Sequence, residues 1–85
     1  MTKTEQITYA ELRSILKRLG FSEKRDTQAW ILHHPSEGLL VYRLYNETEA
    51  VDEGDLRGTR KFLDLRGLLD AKEFDRFVRQ ASAPA

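Results

Sequence analysis

The sequence predicts an α+β domain in the order α-β-β-β-α(-α), a three-stranded antiparallel sheet with helices packed on it. Three observations carry this. Apolar residues recur at helical spacing from Tyr9 to Leu19 and again from Leu56 to Leu65. Between those stretches lie short runs rich in aromatic and branched residues, which favour extended backbone. The string Pro35-Ser36-Glu37-Gly38 separates two of these runs, and strands joined by so short a turn pair antiparallel.

Thr8 followed three residues later by Glu11 is a capping box, which satisfies two free N–H groups at a helix start. Ile7 stands where an apolar residue staples against Leu12. Tyr9, Leu12, Ile15, Leu16 and Leu19 form the buried stripe, and Gly20 supplies the C-terminal stop. Strands are expected at Phe21 to Arg25, at Gln28 to His33 and at Leu39 to Leu44. A polar, glutamate-rich loop follows from Asn46 to Val51. Asp52 is a good N-cap, and Glu53 and Asp55 suit the positive end of a helix dipole. Leu56, Thr59, Phe62, Leu63 and Leu65 carry the second helix, which Gly67 ends. Gly58 inside that helix costs about 1 kcal/mol against Ala, which points to a close approach there. Asp70 and Glu73 make a further capping-box-like start, and Phe74, Phe77 and Val78 give the last helix its apolar face. Residues 1–7 are expected as a flexible N-terminus, residues 8–80 as a single domain and residues 81–85 as a flexible tail.

With 85 residues the chain has room for one core. A domain of this size buries only about 60–65% of the surface its unfolded chain exposes, so a shallow surface site fits it better than a large cavity. Fourteen lysines and arginines balance fourteen aspartates and glutamates, for a net charge of zero. Overall charge therefore gives no argument for nucleic acid. The absence of cysteine excludes disulfides, thiolate catalysis and thiolate metal sites, and fits a reducing, cytoplasmic compartment. No apolar run approaches the roughly 20 residues of a membrane span, and no signal-peptide pattern opens the chain.

Several strings together resemble the HicA toxin family. Ile15-Leu16-Lys17-Arg18-Leu19-Gly20-Phe21 is similar to the family's I-L-K-x-x-G-F string at the end of its first helix. His34-Pro35 followed by Gly38 is similar to its H-P-x-x-G hairpin. Leu63 to Gly67, then Leu68-Leu69 and Glu73-Phe74, resembles its L-x-x-x-G-L … E-F tail. The match covers roughly residues 8–78, and it is the order and spacing of the strings that make it specific. The resemblance implies a double-stranded-RNA-binding-domain-like fold and ribosome-independent RNA cleavage without metal or cofactor. It also implies a HicB antitoxin as partner, covering the active face. In the family the chemistry rests on a histidine that opens the central strand in a Gly-Ser-His string, a residue suited to proton transfer near neutral pH. This chain departs there. Thr27-Gln28-Ala29 stands in place of Gly-Ser-His, and a slip of one residue offers only Trp30. Neither Ala29 nor Trp30 can act as a general acid or base.

His33 and His34 are the only histidines, and as strand neighbours they point to opposite faces, so they cannot act as a pair. His34 is the candidate replacement for the missing catalytic residue; a polar residue at the turn is the preferred reading. Lys17, Arg18, Lys24 and Arg25 are the candidate RNA-binding patch, with helix-dipole complementation and solvation as the alternative. Arg57, Arg60, Lys61 and Arg66 on the second helix are better read as its wet face, with Asp64 near Arg60 or Lys61 and Glu53 near Arg57. The acidic run Glu47, Glu49, Asp52, Glu53 and Asp55 has no metal-ligand spacing, so no metal or cofactor is expected.

Leu39-Leu40-Val41-Tyr42 is apolar on both faces, which a half-buried strand should not be. Either the last helix folds across the second face, or Trp30 and Tyr42 with their neighbours form an interface to a homodimer partner, a HicB-like antitoxin or another protein. Three functions follow. The first is a HicA-like domain without a nuclease centre that binds RNA or protein. The second is an RNA-cleaving toxin with a displaced acid/base at His34. The third is an interaction module that binds no nucleic acid.

Overall fold

The computed structural model describes residues 7–46 and 48–82. Expectations for residues 1–6 and 83–85, and the place of Glu47 in the acidic run, lie outside the described residues. The elements are α1 (Tyr9–Arg18), β1 (Ser22–Arg25), β2 (Ala29–His34), β3 (Gly38–Arg43), α2 (Glu53–Leu65) and α3 (Ala71–Ser82). The sheet has the order β1-β2-β3, and both pairings are antiparallel. This is the α+β architecture expected from the sequence.

Local chemistry sets the element ends. The Thr8 hydroxyl accepts from the Glu11 N–H at 3.2 Å, and the Glu11 carboxylate accepts from the Thr8 N–H at 2.8 Å, which completes the capping box. At the other end Gly20 takes φ +102°, a left-handed conformation that side chains resist. That bend lets the Phe21 N–H reach Leu16 O and the Gly20 N–H reach Lys17 O, both at 3.1 Å, so the last carbonyls of α1 are satisfied. The same closure recurs at Gly67, where the Leu68 and Gly67 N–H groups return to Leu63 and Asp64. The Asp52 carboxylate accepts from the Gly54 N–H at 3.0 Å and starts α2. Two acids start α3: Asp70 accepts from Lys72 N and Asp64 from Ala71 N. Glu73 pairs with Arg76 instead of returning to the cap.

Four expectations need correction. β2 and β3 each sit one residue from their expected bounds, because His34 pairs directly with Gly38 across the turn while the Asp26 N–H closes the other hairpin on Ala29 O. Ile7, placed in the flexible lead, is 1% exposed in the core, and its carbonyl accepts from Val51 N. α3 runs on to Ser82, so residues 81 and 82 are helix and not tail. A Cβ built on Gly58 meets nothing within 4 Å, so no close approach needs that glycine.

Strand parity fixes the core. In the register, Glu23 stands opposite Leu32 and Leu40 opposite Leu32 from the other side, while Trp30 faces Tyr42. Leu32 and Tyr42 are buried with Leu12 and Leu16 of α1, Leu63 of α2, and Phe74 and Val78 of α3. All three helices therefore lie on one face of the sheet, and α3 does not cross to the other. Leu65 falls off the buried stripe of α2 and is 72% exposed. Thr59 is the one buried polar residue among those described; its hydroxyl lies 2.5 Å from the Tyr42 hydroxyl, which satisfies both.

Two stability measurements follow. Thr59→Val strands a buried tyrosine hydroxyl and should cost about 1–3 kcal/mol, whereas Thr59→Val combined with Tyr42→Phe removes both partners and should cost clearly less than the two single changes summed. Additive costs in denaturant melts would show that the two hydroxyls do not depend on each other. Gly58→Ala should stabilise by about 0.5–1 kcal/mol, since it restricts the unfolded chain in a position where the folded helix has room; a lower midpoint would reveal a hidden contact.

Candidate functional site

The face of the sheet away from the helices carries the odd-numbered residues of β2 and β3. Ala29, Ile31 and His33 stand opposite Arg43, Val41 and Leu39 respectively, and Lys24 of β1 lies beside Ile31. Leu39 is 49% and Val41 54% exposed, two of the three large exposed apolar side chains among the described residues. Ile31 and Ala29 are half-buried. The result is an apolar strip with cationic ends, Lys24 on one edge and Arg43 on the other. The two-sided apolar character of the third strand is the sequence signal for it.

The candidate interface residues Trp30 and Tyr42 have the other parity. Tyr42 is 4% exposed, under the helices, so a partner cannot reach it. Trp30 lies on the same side and its ring is occupied within the chain. Tyr45 stacks on it at 5.6 Å, and the guanidiniums of Arg13 and Arg25 lie over it at 5.3 and 5.7 Å. Tyr45 in turn stacks on Tyr9 at 4.1 Å. Sequence reasoning had no signal for this stack, because its members come from separate elements and a loop. It puts the Tyr9 hydroxyl between two groups at the start of α2: it donates to the Asp55 carboxylate at 2.7 Å and accepts from the Asp52 N–H at 3.1 Å.

The candidate RNA-binding cations do not converge. Lys17 and Arg13 both bind Glu23, at 3.0 and 3.2 Å. Arg18 lies over the Phe77 ring and Arg25 over Trp30, while Lys24 projects from the open face. On α2, Arg60 makes a two-point pair with Asp75 of α3 at 2.9 and 3.1 Å, in place of a pair with Asp64. Arg66 lies over Phe62. A phosphate track needs cations with free heads on one surface; here most heads are spent on acids and rings.

His34 is held as a turn residue. Its Nδ1 accepts from the backbone N–H groups of Ser36 and Glu37, each at 3.2 Å, so the neutral ring carries its proton on Nε2. The ring packs edge-on to Phe21 with centroids 5.1 Å apart, and Nε2 would lie 3.3 Å from a Cβ on Gly20. His33 is exposed on the opposite face. Ala29 is the first residue of β2 and belongs to the open face, opposite Arg43. Of the acidic run, Asp52 caps α2, Asp55 accepts from Tyr9, and Glu49 pairs with Arg43 at 2.7 Å, a hydrogen bond that holds its carboxyl below the ordinary range. Among the described residues no group of His, Asp and Glu has the geometry to hold a metal ion. No helix there is long and apolar enough to cross a membrane.

Burial, with the Asp55 carboxylate adding to it, pushes the Tyr9 hydroxyl from 10.0 to about 12, and burial likewise pushes Tyr42 up. The folded chain keeps these protons where the unfolded chain loses them. Their contribution to stability is therefore whole below pH 10.0 and is lost as the pH climbs toward about 12. The thermal midpoint should hold through neutral pH and fall steeply in that alkaline window, with Tyr9→Phe falling less steeply. A flat midpoint across the window would contradict the hydrogen-bonded burial of Tyr9.

The chain matches no protein-family model, no curated protein and no solved structure.

Proposed function

We propose that this chain is a non-catalytic, HicA-like domain, with a double-stranded-RNA-binding-domain-like arrangement of sheet and helices, that works in the cytoplasm by binding a protein on the open face of its sheet. The observation that carries this reading is the exposure of Leu39 and Val41 at 49% and 54% on a face that no helix among the described residues covers. Apolar strips of this kind, rimmed by polar residues, mark protein contacts. A HicB-like antitoxin is the partner class the family resemblance suggests.

The enzymatic alternative has little to stand on. Ala29, which the resemblance aligns with the family's histidine, opens β2 opposite Arg43 and cannot transfer a proton, and the His34 ring is spent on the turn amides. The RNA alternative needs a converging set of cations, and Lys17 and Arg60 are already paired with acids.

Purified protein should leave a mixed-sequence RNA intact on a denaturing gel, with wild type and His34→Ala indistinguishable. It should also give no saturable change in the anisotropy of a labelled RNA at low salt. Cleavage by the wild type that His34→Ala abolishes would make the chain an active toxin. Saturable, steeply salt-dependent binding lost with Lys24→Ala would move the ligand from protein to RNA.

A further inference from the structure

The two edges of the sheet are not alike. β1 is a four-residue edge of sequence Ser-Glu-Lys-Arg, short and charged, with Glu23 held by two cations. Such edges resist pairing with another chain. β3 is a six-residue edge of sequence Gly-Leu-Leu-Val-Tyr-Arg, without proline and with its single charge at the far end. Among the described residues no backbone hydrogen bond reaches it from outside the sheet.

The hairpin geometry tells which of its groups are free. The Asp26 N–H donates to Ala29 O at 2.8 Å, so the backbone of Ala29 faces β1. Backbone direction alternates along a strand, so Trp30, Leu32 and His34 turn theirs toward β3. Their register partners Tyr42, Leu40 and Gly38 complete those bonds. The N–H and C=O groups of Leu39, Val41 and Arg43 therefore point outward, beyond the sheet.

We propose that β3 pairs with β3 of a second copy of this chain, antiparallel about a twofold axis at Leu40, to form a continuous six-stranded sheet. The side chains choose this register. Two edges can join into one sheet only if residues of like parity face each other, since paired side chains share a face. Centred on Leu40, Leu39 meets Val41 of the second copy, and Glu37 meets Arg43 of the second copy at each end. Apolar meets apolar in the middle and opposite charges meet at both margins, a self-complementary pattern of the kind a twofold interface requires. Glu37 and Arg43 are both on or beside the exposed strand; Arg43 keeps its own Glu49 and gains a second carboxylate. This goes beyond the open-face reading, because it consumes the backbone groups of the edge and leaves that face free and doubled in width.

The test is sedimentation of the full chain from micromolar to millimolar concentration, with Glu37→Arg, with Arg43→Glu and with both together. The wild type should dimerise. Each single change sets like charges opposite at both ends and should weaken the dimer by about tenfold, and the double change should restore it. Amide hydrogen exchange gives a separate readout: dimerisation should protect the N–H groups of Leu39, Val41 and Arg43 and leave those of Leu40 and Tyr42 unchanged. A chain that stays monomeric over the whole range overturns the proposal. So does a dimer indifferent to the charge swaps, or one whose protection lacks that alternation, which would be a face-to-face dimer.

Discussion

The burial of Leu32 and Tyr42 beneath the helices decides where every other side chain of the sheet points. The register of β2 with β3 runs unbroken, so the faces alternate, and once these two lie inward, Ile31, Leu39 and Val41 must lie outward. A chain of this length can build one core, and α1, α2 and α3 are all used to close it. Among the described residues no element is left for the second face. The exposed strip is thus a consequence of α1, α2 and α3 all lying on one face of a sheet whose third strand is apolar on both.

Contacts that tie the helices down are local at the ends and long-range in the middle. Capping at Thr8, Asp52 and Asp70, and the glycine closures at Gly20 and Gly67, fix where each helix begins and stops. What holds them against each other is different in kind. The Tyr9 hydroxyl joins α1 to the start of α2, Tyr42 joins β3 to Thr59 of α2, and Arg60 joins α2 to Asp75 of α3. The first two are shielded by the same burial that pushes both tyrosine hydroxyls up. The last is an exposed pair and contributes little by itself.

That division also explains what could be read from the sequence. Capping boxes, helical stripes and turn strings act within a few residues, so Thr8 with Glu11, Gly20, Pro35 to Gly38 and Asp52 placed the elements to within a residue or two. The apolar doubling of the third strand was legible, and so was the separation of His33 from His34. The direction of the faces was not: a strand pattern apolar on both sides gives no parity, so Trp30 and Tyr42 read as interface when the core had claimed them. Partners distant in sequence were equally hidden. Nothing local marks Arg60 for Asp75 over Asp64, or Tyr45 as the plate between Tyr9 and Trp30.

The parity of the sheet is the claim on which both the open face and the pairing edge rest. It is tested most directly by the line broadening that a soluble paramagnetic probe causes in methyl resonances. Leu39, Val41 and Ile31 should broaden strongly, while Leu32, Leu16 and Leu63 should stay sharp. Broadening of Leu32 with protection of Leu39 and Val41 would mean a register displaced by one residue, and would contradict the account from the core outward.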